Sequence, residues 1–414
     1  MDKVMSTDKE ILRNIQNKIM EDIDFGEELS DEQLKDLISK YLLEKEKNYH
    51  FTLLERKQIG KEIFDSLRKL DVLQDLIEDD EVTEIMVNGP EVIFAEKNGK
   101  LYQTSLKFDS AEKLLHVINQ IVSHCNRVVN ESSPIVDARL KNGARVNVVL
   151  SPVALNGPVL TIRRFPNKPI TMKKLWKLGA VNEEAVLFLE KAVKAKYNIL
   201  VSGGTGSGKT TFLNALSGYI PKDERIITIE DSAELQIQGI DNLIRMETRN
   251  ANMEGGRSIN IRDLIKASLR MRPDRIIVGE VRGEEALDMI GSAMNCGHDG
   301  SMSSAHANSA GDMLLRLENM ILMSASLPVD AIRSQIASGV DLIVHLGRLR
   351  DKSRKVLEIT EIKGMEQKEI VLNPLFLFRE TSDKKMETVE GRLERVGELI
   401  HTFKMENAGM EPPY

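Results

Sequence analysis

A glycine-rich segment near the middle of the chain constrains the fold more than any other feature of the sequence. Residues 203–210 read Gly-Gly-Thr-Gly-Ser-Gly-Lys-Thr and match the pattern GxxxxGK[ST] in full. An apolar run over 197–201 precedes this segment, and a predicted helix over 208–219 follows it. Such a loop lets successive backbone N–H groups converge on a phosphate at the start of a helix. The sequence therefore predicts a strand–loop–helix unit within an α/β sheet.

The positions of this motif have predicted roles in binding a nucleotide. The Lys209 ammonium is expected to neutralise charge on the β- and γ-phosphates, and the Thr210 hydroxyl is expected to bind Mg²⁺. The alternative is a glycine-rich turn that joins a strand to a helix and binds nothing. ATP and Mg²⁺ are the predicted cofactors. The predicted nucleotide-binding residues are Gly203, Gly204, Thr205, Gly206, Ser207, Gly208, Lys209, Thr210 and Thr211.

Acidic residues follow two apolar runs downstream of the loop. Glu230 and Asp231 come after the predicted strand 226–229, and Glu280 comes after the run 276–279. Ligands of open α/β sheets bind at the carboxyl ends of the strands, so acids at those ends can reach a nucleotide held by the loop. Carboxylates there organise a metal ion and the attacking water. The alternative for each acid alone is a strand-end residue that faces solvent.

One histidine and several arginines complete the candidate site. His306 follows a short predicted strand, where an imidazole can approach the γ-phosphate; a lone histidine is otherwise an ordinary surface or core residue. Arg145 and Arg163 lie in strand-like stretches before a proline-bounded segment, and Arg139 and Arg164 are close to them in sequence. An arginine that reaches across a domain or subunit boundary stabilises transition-state charge. Solvent-exposed arginines on strands are the alternative.

The pattern of apolar residues changes along the 414 residues and predicts more than one domain. Helical spacing comes first, short strands around one helix come next, and strands then alternate with helices. This alternation predicts a mostly parallel sheet covered on both faces. The predicted segments are an N-terminal helical bundle or arm (1–75), a compact α+β domain (76–166), a linker or hinge (167–172), an α/β domain (173–368) and a C-terminal tail (369–414).

Local signals mark individual elements. Ser30 with Gln33 is typical of a helix capping box, and the pair Asn98-Gly99 predicts a β-hairpin. The tail is predicted to contain one strand over 370–378. Pro166 and Pro169 bound the predicted hinge. Besides the helix after the glycine-rich loop, helices are predicted over 110–125, 260–271, 284–296, 309–323 and 329–339.

Composition argues against nucleic acid and membrane as direct partners. The formal net charge is −7, whereas duplex-binding domains usually carry a basic stripe. Aromatic residues make up 4% of the chain, few for stacking single-stranded bases. No apolar run approaches the length of a membrane-spanning helix, and the N-terminus lacks the apolar core of a signal peptide. We therefore predict a cytoplasmic protein that associates with the membrane only through partners.

Several blocks of sequence, taken together, resemble one family. The stretches 228–235, 269–286 and 297–308 resemble the Asp box, the atypical Walker B motif and the His box of type II/IV secretion ATPases. A Gly-Glu pair stands at 279–280, where a standard Walker B motif has an aspartate. The stretches 82–90 and 133–140 look like the branch that drives Tad/Flp pilus assembly, the CpaF-type ATPases. The resemblance runs from about residue 80 to 365.

This resemblance implies a fold and an assembly. It implies a RecA-like P-loop motor domain after a PAS-like α+β domain, a mobile linker between them, and a homo-hexameric ring with ATP between the two domains. Such a ring acts on polytopic membrane platform proteins at the inner face of the cytoplasmic membrane. The same architecture serves protein or DNA secretion and archaellum-like filaments, which remain alternatives. A scaffold that binds nucleotide without turnover is a third hypothesis.

The resemblance also implies roles for the candidate residues. Glu280 matches the glutamate that activates the attacking water, and Glu230 matches the acid near magnesium. His306 matches the residue that approaches the γ-phosphate. Arg145 and Arg163 match arginines of the preceding domain that clamp the phosphates, and Arg139 matches less well. The implied ligands of Mg²⁺ are Thr210, Glu230 and Glu280.

Overall fold

The computed structural model divides the chain into two compact units, Met1–Asn167 and Lys168–Tyr414. Each unit has hydrophobic cores of its own. Among the described residues, no helix is both long and apolar enough to cross a bilayer. The structure describes residues 14–15, 18–19, 30–45, 51–97, 99–123, 125, 127–140, 143–164, 169–249, 257–381 and 388–412.

The first unit begins with helices packed on a small core of their own. Helices α1 (Asp31–Lys45) and α2 (Leu53–Arg68) bury their apolar faces against each other, with Ile38 and Ile63 in the shared core. The predicted capping box is confirmed: the Ser30 N–H donates to Gln33 Oε1 over 2.7 Å, and the Gln33 N–H donates to Ser30 Oγ over 3.3 Å. A short helix α3 (Gln74–Glu78) then leads into the sheet.

A six-stranded antiparallel sheet forms the rest of the first unit. The order is β3-β2-β1-β6-β5-β4, and α4 (Ala111–Ser123) packs on one face through its buried apolar residues. The predicted hairpin is present, because β2 and β3 pair antiparallel, although Asn98 lies outside the described residues. The strands are β1 (Val82–Asn88), β2 (Ile93–Lys97), β3 (Lys100–Gln103), β4 (Ile135–Arg139), β5 (Arg145–Val149) and β6 (Val159–Arg163).

A nine-stranded sheet organises the second unit, in the order β15-β14-β13-β12-β7-β11-β10-β8-β9. The strands from β12 to β9 in this order are parallel, and the other three are antiparallel. The strands are β7 (Ile199–Gly203), β8 (Ile226–Glu230), β9 (Leu243–Glu247), β10 (Arg275–Val278), β11 (Met302–Ala305), β12 (Leu342–Arg348), β13 (Arg354–Glu366), β14 (Glu369–Glu380) and β15 (Gly391–Arg395).

Helices cover both faces of this sheet, as the alternating pattern predicts. Successive side chains of a strand point to opposite faces, and in β7 Ile199 and Val201 join one core while Leu200 joins the other. One core contains residues of α6 and α7, and the other contains residues of α8, α10 and α11. The helices are α5 (Met172–Lys177), α6 (Glu183–Lys194), α7 (Lys209–Ser217), α8 (Ile261–Ser268), α9 (Glu285–Asp288), α10 (Ala310–Ser324), α11 (Val329–Gly339) and α12 (Phe403–Asn407).

The helix predicted over 284–296 is not a continuous α-helix. It begins as α9 and continues as a π-helical stretch, Met289–Met294. The Asn295 side chain donates to the Ile290 carbonyl over 3.0 Å. A side-chain amide that bonds to a backbone carbonyl competes with the regular helical ladder, and the apolar periodicity of the sequence gives no sign of that competition.

The segment predicted as a tail carries two strands of the large sheet. The strand predicted over 370–378 is confirmed as β14, which pairs with β13. The sequence analysis missed β15, which pairs with β14. The buried Glu361 carboxylate of β13 accepts the N–H groups of Ile400 and His401. The Lys404 ammonium lies 2.7 Å from Asp341 Oδ2. These bonds fasten the end of the described chain to the body of the second unit.

Candidate active site

Four neighbouring strands bring the predicted acids, the histidine and the glycine-rich loop to one edge of the large sheet. β7, β11, β10 and β8 are adjacent and parallel, so their carboxyl ends share that edge. β7 ends at Gly203, where the glycine-rich loop begins, and His306 directly follows β11. Glu280 follows β10 by two residues, and Glu230 is the last residue of β8. The carboxyl edge of an open α/β sheet is where such folds bind ligands.

The glycines of the loop are required by its backbone and its close packing. Gly206 and Gly208 have φ values of 72° and 95°, in the left-handed region that favours glycine. A Cβ on Gly203 would lie 2.5 Å from the Leu346 carbonyl oxygen and 2.5 Å from Ser207 Oγ. Helix α7 starts directly after this turn, so the N–H groups of its first turn have no helical partner. The loop thus has the backbone geometry and the donors that an anion site needs.

Lys209 lies at the centre of the loop, and its side chain is buried. Its ammonium donates to the carbonyl oxygens of Gly203 and Gly204 over 3.1 and 3.3 Å, and lies 3.4 Å from His306 Nδ1. Burial lowers its pKa, and the nearby positive charges of Arg282 and Arg316 act in the same direction. A desolvated cation of this kind is stabilised by an anionic ligand.

Glu280 connects the loop to the neighbouring strand ends. Its Oε1 lies 2.9 Å from His306 Nε2, but without hydrogen-bond geometry, so this buried oxygen has no hydrogen-bond donor. Its Oε2 accepts the Nε and Nη2 of Arg282 over 2.9 and 2.6 Å. The pKa of His306 is lowered, first by burial and then by the positive charge of Lys209. The imidazole is therefore neutral at physiological pH.

Glu230 is the most buried acid of the site, with 3% of its surface exposed. Its Oε1 accepts the backbone N–H groups of Glu234 and Leu235, each over 2.9 Å, while its Oε2 has no partner. Burial raises the pKa of the carboxyl group to about 7. A Cβ on Gly279 would lie 2.9 Å from Glu230 Cγ. The glycine before Glu280 therefore makes room for the Glu230 side chain.

Two acids of the site offer the oxygen donors that a divalent cation prefers, although the described residues contain no group of three or more His, Cys, Asp or Glu side chains that could hold a metal ion. Glu230 Oε2 and Glu280 Oε1 are buried carboxylate oxygens without hydrogen-bond donors, and hard cations such as Mg²⁺ prefer oxygen ligands. Thr210, the second residue of α7, is half-buried beside the loop. A cation bound by these oxygens would supply the partners that the two buried carboxylates lack.

The other predicted site residues lie elsewhere. Thr205 is exposed in the loop, and Thr211 is in the first turn of α7. Arg145 and Arg163 belong to the sheet of the first unit, where they are directly paired on β5 and β6. Arg139 is paired with Arg145 on the other side. The sheet therefore places these three arginines, which sequence analysis treated one by one, in a single row on one face.

Sequence analysis missed two arginines near the site. Arg282, two residues after Glu280, binds the Glu280 carboxylate. Its position close after the end of β10 was a sequence signal that could have identified it. Arg316 is an exposed residue of α10 whose positive charge lowers the pKa of Lys209 and of His306. It lies one turn after Asp312 on the exposed side of the helix, and nothing in the sequence sets it apart.

The pH dependence of stability in a Glu230→Gln variant tests whether the Glu230 carboxyl group is desolvated in the folded protein. A carboxyl pKa raised from 4.5 to about 7 means that the folded protein binds more protons than the unfolded chain between those values. Its contribution to stability is therefore present below pH 4.5 and is lost as the pH rises through 7. We expect Glu230→Gln to stabilise the protein without Mg²⁺ by up to about 3 kcal/mol at pH 8 and by much less near pH 5.

Denaturant unfolding at both pH values, without nucleotide or metal, measures this difference. Glu247→Gln is the matched control, because Glu247 is exposed on β9 directly beside Glu230. That variant should change stability by less than about 0.5 kcal/mol at either pH. Equal effects of Glu230→Gln at pH 5 and pH 8 would show that its carboxyl group is not desolvated in the folded protein.

A mixed α/β fold with a phosphate-loop motif at the carboxyl edge of a parallel sheet defines a broad class of proteins, and comparison with known proteins narrows it. The family described as type II/IV secretion system protein matches residues 66–407. The chain belongs to this family. The family resemblance predicted from the sequence blocks is thereby confirmed.

Two relatives are similar to the chain in sequence, and one solved structure is similar to it in fold. A putative conjugal transfer protein of Mycobacterium tuberculosis strain H37Rv is 33% identical over 301 residues, which cover 71% of this chain and 85% of that protein. The type IV secretion system protein PtlH of Bordetella pertussis is 32% identical over 319 residues, covering 69% and 91% of the two chains. The pilus retraction motor PilT, solved with bound ADP, shares the fold, with a TM-score of 0.52, 18% identity, and coverage of 82% and 86%.

Proposed function

We propose that this protein is a cytoplasmic ATPase motor that couples Mg-ATP hydrolysis to assembly of a Tad/Flp-type pilus. The observation that carries the ATPase proposal is the meeting of Lys209, His306 and Glu280 in one chain of contacts at the carboxyl edge of the sheet. Membership of the type II/IV secretion family supports it. The Tad/Flp assignment depends on the two sequence blocks at 82–90 and 133–140.

In the proposed reaction, backbone N–H groups of the loop and the Lys209 ammonium hold the β- and γ-phosphates. The water oxygen bonds to the γ-phosphorus while the bond to the β–γ bridging oxygen breaks and ADP leaves, and Glu280 accepts the proton of the attacking water. The neutral His306 lies beside Glu280 to contact the γ-phosphate. Thr210, Glu230 and Glu280 would hold Mg²⁺, which, when bound, neutralises charge on the phosphates. The burial of Glu230 keeps its carboxylate desolvated, which strengthens its attraction for a cation.

The domain organisation is part of the same proposal. We assign residues 173–368 to a RecA-like motor domain and residues 76–166 to a PAS-like domain, joined by a hinge at 167–172, of which residues 167–168 lie outside the described residues. The parallel sheet with a phosphate loop supports the first assignment, and the antiparallel sheet with a helix on one face supports the second. We propose a helical bundle or arm for residues 1–75, of which 14–15, 18–19, 30–45 and 51–75 are described. Residues 369–414, predicted as a tail, contribute the C-terminal strands.

The row of arginines supports a role in binding phosphate. Like charges placed directly opposite on neighbouring strands repel each other, yet Arg139, Arg145 and Arg163 occupy consecutive positions across β4, β5 and β6. Glu84 continues the row beside Arg163. Guanidinium groups at consecutive positions of one row can bind a polyphosphate with several charge-assisted bonds at once. We propose that Arg145 and Arg163 contact the nucleotide when ATP draws the two domains together.

Replacing Arg163 by alanine is expected to lower the ATP turnover number by about a hundredfold or more, because arginines that stabilise transition-state charge have effects of this size. Steady-state phosphate release at saturating ATP measures it. The fold should be preserved, since Arg163 is exposed at the end of β6. Lys100→Ala, which removes an exposed cation from β3 of the same sheet, is the control and should turn over normally. Normal turnover of Arg163→Ala would refute the clamp.

We propose a homo-hexameric ring that acts on polytopic platform proteins at the inner face of the cytoplasmic membrane. Sedimentation of the protein with ATP tests the ring, and phosphate release by the same sample tests turnover. An oligomer that binds ATP without hydrolysing it would favour the scaffold hypothesis. No direct contact with nucleic acid is proposed, because the net charge is −7.

The second candidate is a motor for secretion or conjugal transfer. It is favoured by relatives described as a putative conjugal transfer protein and as a type IV secretion system protein. Nucleotide chemistry does not separate these cargoes. Genes for a pilin, a prepilin peptidase and two platform proteins beside this gene, with loss of pili on its deletion, would support the pilus. Intact pili after deletion would favour the second candidate.

A further inference from the structure

The hairpin formed by β12 and β13 covers the outer side of the glycine-rich loop. Leu346 of β12 pairs with Gly203 at the end of β7. Arg354, the first residue of β13, donates from Nε to the Gly206 carbonyl over 2.8 Å. Its Cδ lies 3.5 Å from the position that a Cβ on Gly208 would take. The hairpin thus contacts the loop at Gly203 and Gly206, and the Arg354 side chain also lies close to Gly208.

The bond from Arg354 fixes the orientation of one peptide plane. In a planar trans peptide, the Gly206 C=O and the Ser207 N–H point in opposite directions. With the carbonyl held on the outer side, the Ser207 N–H points back into the turn, 3.3 Å from the Gly204 carbonyl oxygen. Gly206 has a φ of 72° and no Cβ, so its own sterics restrain this peptide weakly. The guanidinium supplies the restraint that the glycine lacks.

The turn that carries Arg354 is itself anchored. Asp351 accepts the Ser353 N–H over 2.9 Å and the Val389 N–H over 3.0 Å, which ties the turn to the segment before β15. Arg350 pairs with Glu380 at the end of β14, with Nη1 3.0 Å from Oε2. The C-terminal strands therefore hold the β12–β13 turn in place against the loop. A side chain on a turn that other contacts hold in place orients a peptide more strongly than a side chain on a mobile turn.

We propose that Arg354 is a positioning residue for nucleotide binding. It holds the Gly206–Ser207 peptide in the orientation in which the loop receives the phosphates of a nucleoside di- or triphosphate, and it acts through the loop rather than on the ligand. This inference rests on the proposed binding of nucleotide by the same loop. Arg354 is exposed, and exposed bonds contribute little to stability. Its loss should therefore weaken binding without unfolding the protein.

Titration calorimetry of the full chain with ADP and Mg²⁺ tests this inference. Arg354→Ala should raise the Kd for ADP about tenfold, the usual value of one bond to a charged group. In turnover assays the KM for ATP should rise while kcat at saturation stays within about twofold, because loop order is recovered once nucleotide is bound. Arg354→Gln and Arg354→Lys can still donate to Gly206 and should bind ADP more tightly than the alanine variant.

Arg392→Ala is the matched control, since Arg392 is an exposed arginine of β15 with a surface partner, Glu394. It should bind ADP as the unaltered protein does. An Arg354→Ala protein that binds ADP within twofold of the unaltered protein would overturn the inference. If Arg354→Ala melts at a lower temperature than the unaltered protein, the comparison is made among the variants. Equal ADP affinities of the alanine, glutamine and lysine variants would then overturn the inference. If the unaltered protein binds no ADP, the proposed function fails and the inference fails with it.

Discussion

Glu280→Gln is expected to lower the ATP turnover number by about a thousandfold while nucleotide affinity stays within a few-fold. The amide keeps the size of the side chain and an oxygen that Arg282 can bind, but it cannot accept a proton from water. Arg282 has 58% of its side chain exposed, so the loss of its charged partner costs the fold little. Phosphate release at saturating ATP and calorimetry with ADP measure the two quantities separately.

Glu284→Gln is the matched control for this experiment. Glu284 lies four residues further along the same loop, is exposed, and pairs with Arg262 over 3.2 Å. It has no described contact with the loop that holds Lys209, and its replacement should leave turnover within about twofold. Turnover of Glu280→Gln within threefold of the unaltered protein would exclude Glu280 as the water-activating acid. Loss of ADP binding in the same variant would indicate damage to the loop instead.

The parallel part of the large sheet could be predicted from sequence because its strands are buried on both faces. All residues of β7, β8 and β10 are buried, and each strand is a short run of mostly apolar residues, which is typical of a strand covered on both faces. β15 gave no such signal. It is an edge strand in which charged residues such as Arg392 and Glu394 alternate with others, and edge strands carry charges because one side faces solvent.

The candidate site could be predicted as far as it follows strand ends. Glu230, Glu280 and His306 each close or follow a short strand, and a parallel sheet brings such ends together without further information. Arg354 could not be predicted, because it reaches the loop from a hairpin 148 residues further along the chain. The pairing of Arg145 with Arg163 depends on which strands are neighbours in the sheet, and the sequence alone does not give the strand order.

Lys209→Ala is expected to leave the stability of the unliganded protein nearly unchanged and to weaken nucleotide binding. Without ligand the variant should be as stable as the unaltered protein within about 1 kcal/mol. The charged ammonium is desolvated in the fold, as its lowered pKa indicates, and removing this cost offsets the lost bonds to Gly203 and Gly204. Removal of the cation that neutralises the phosphates should weaken ADP binding by about a hundredfold or more.

Thermal unfolding with and without ADP tests both parts of this expectation at once. At an ADP concentration 100 times the Kd of the unaltered protein, the ligand adds about 2.7 kcal/mol to its stability, and a hundredfold weaker Kd reduces this gain to about 0.4 kcal/mol. Lys222→Ala, which removes an exposed lysine of the same unit, should keep the full gain. An undiminished gain in Lys209→Ala would mean that ADP binds away from the glycine-rich loop. Lys209 also contacts His306. That result would therefore contradict the proposal that Lys209, His306 and Glu280 form one nucleotide site.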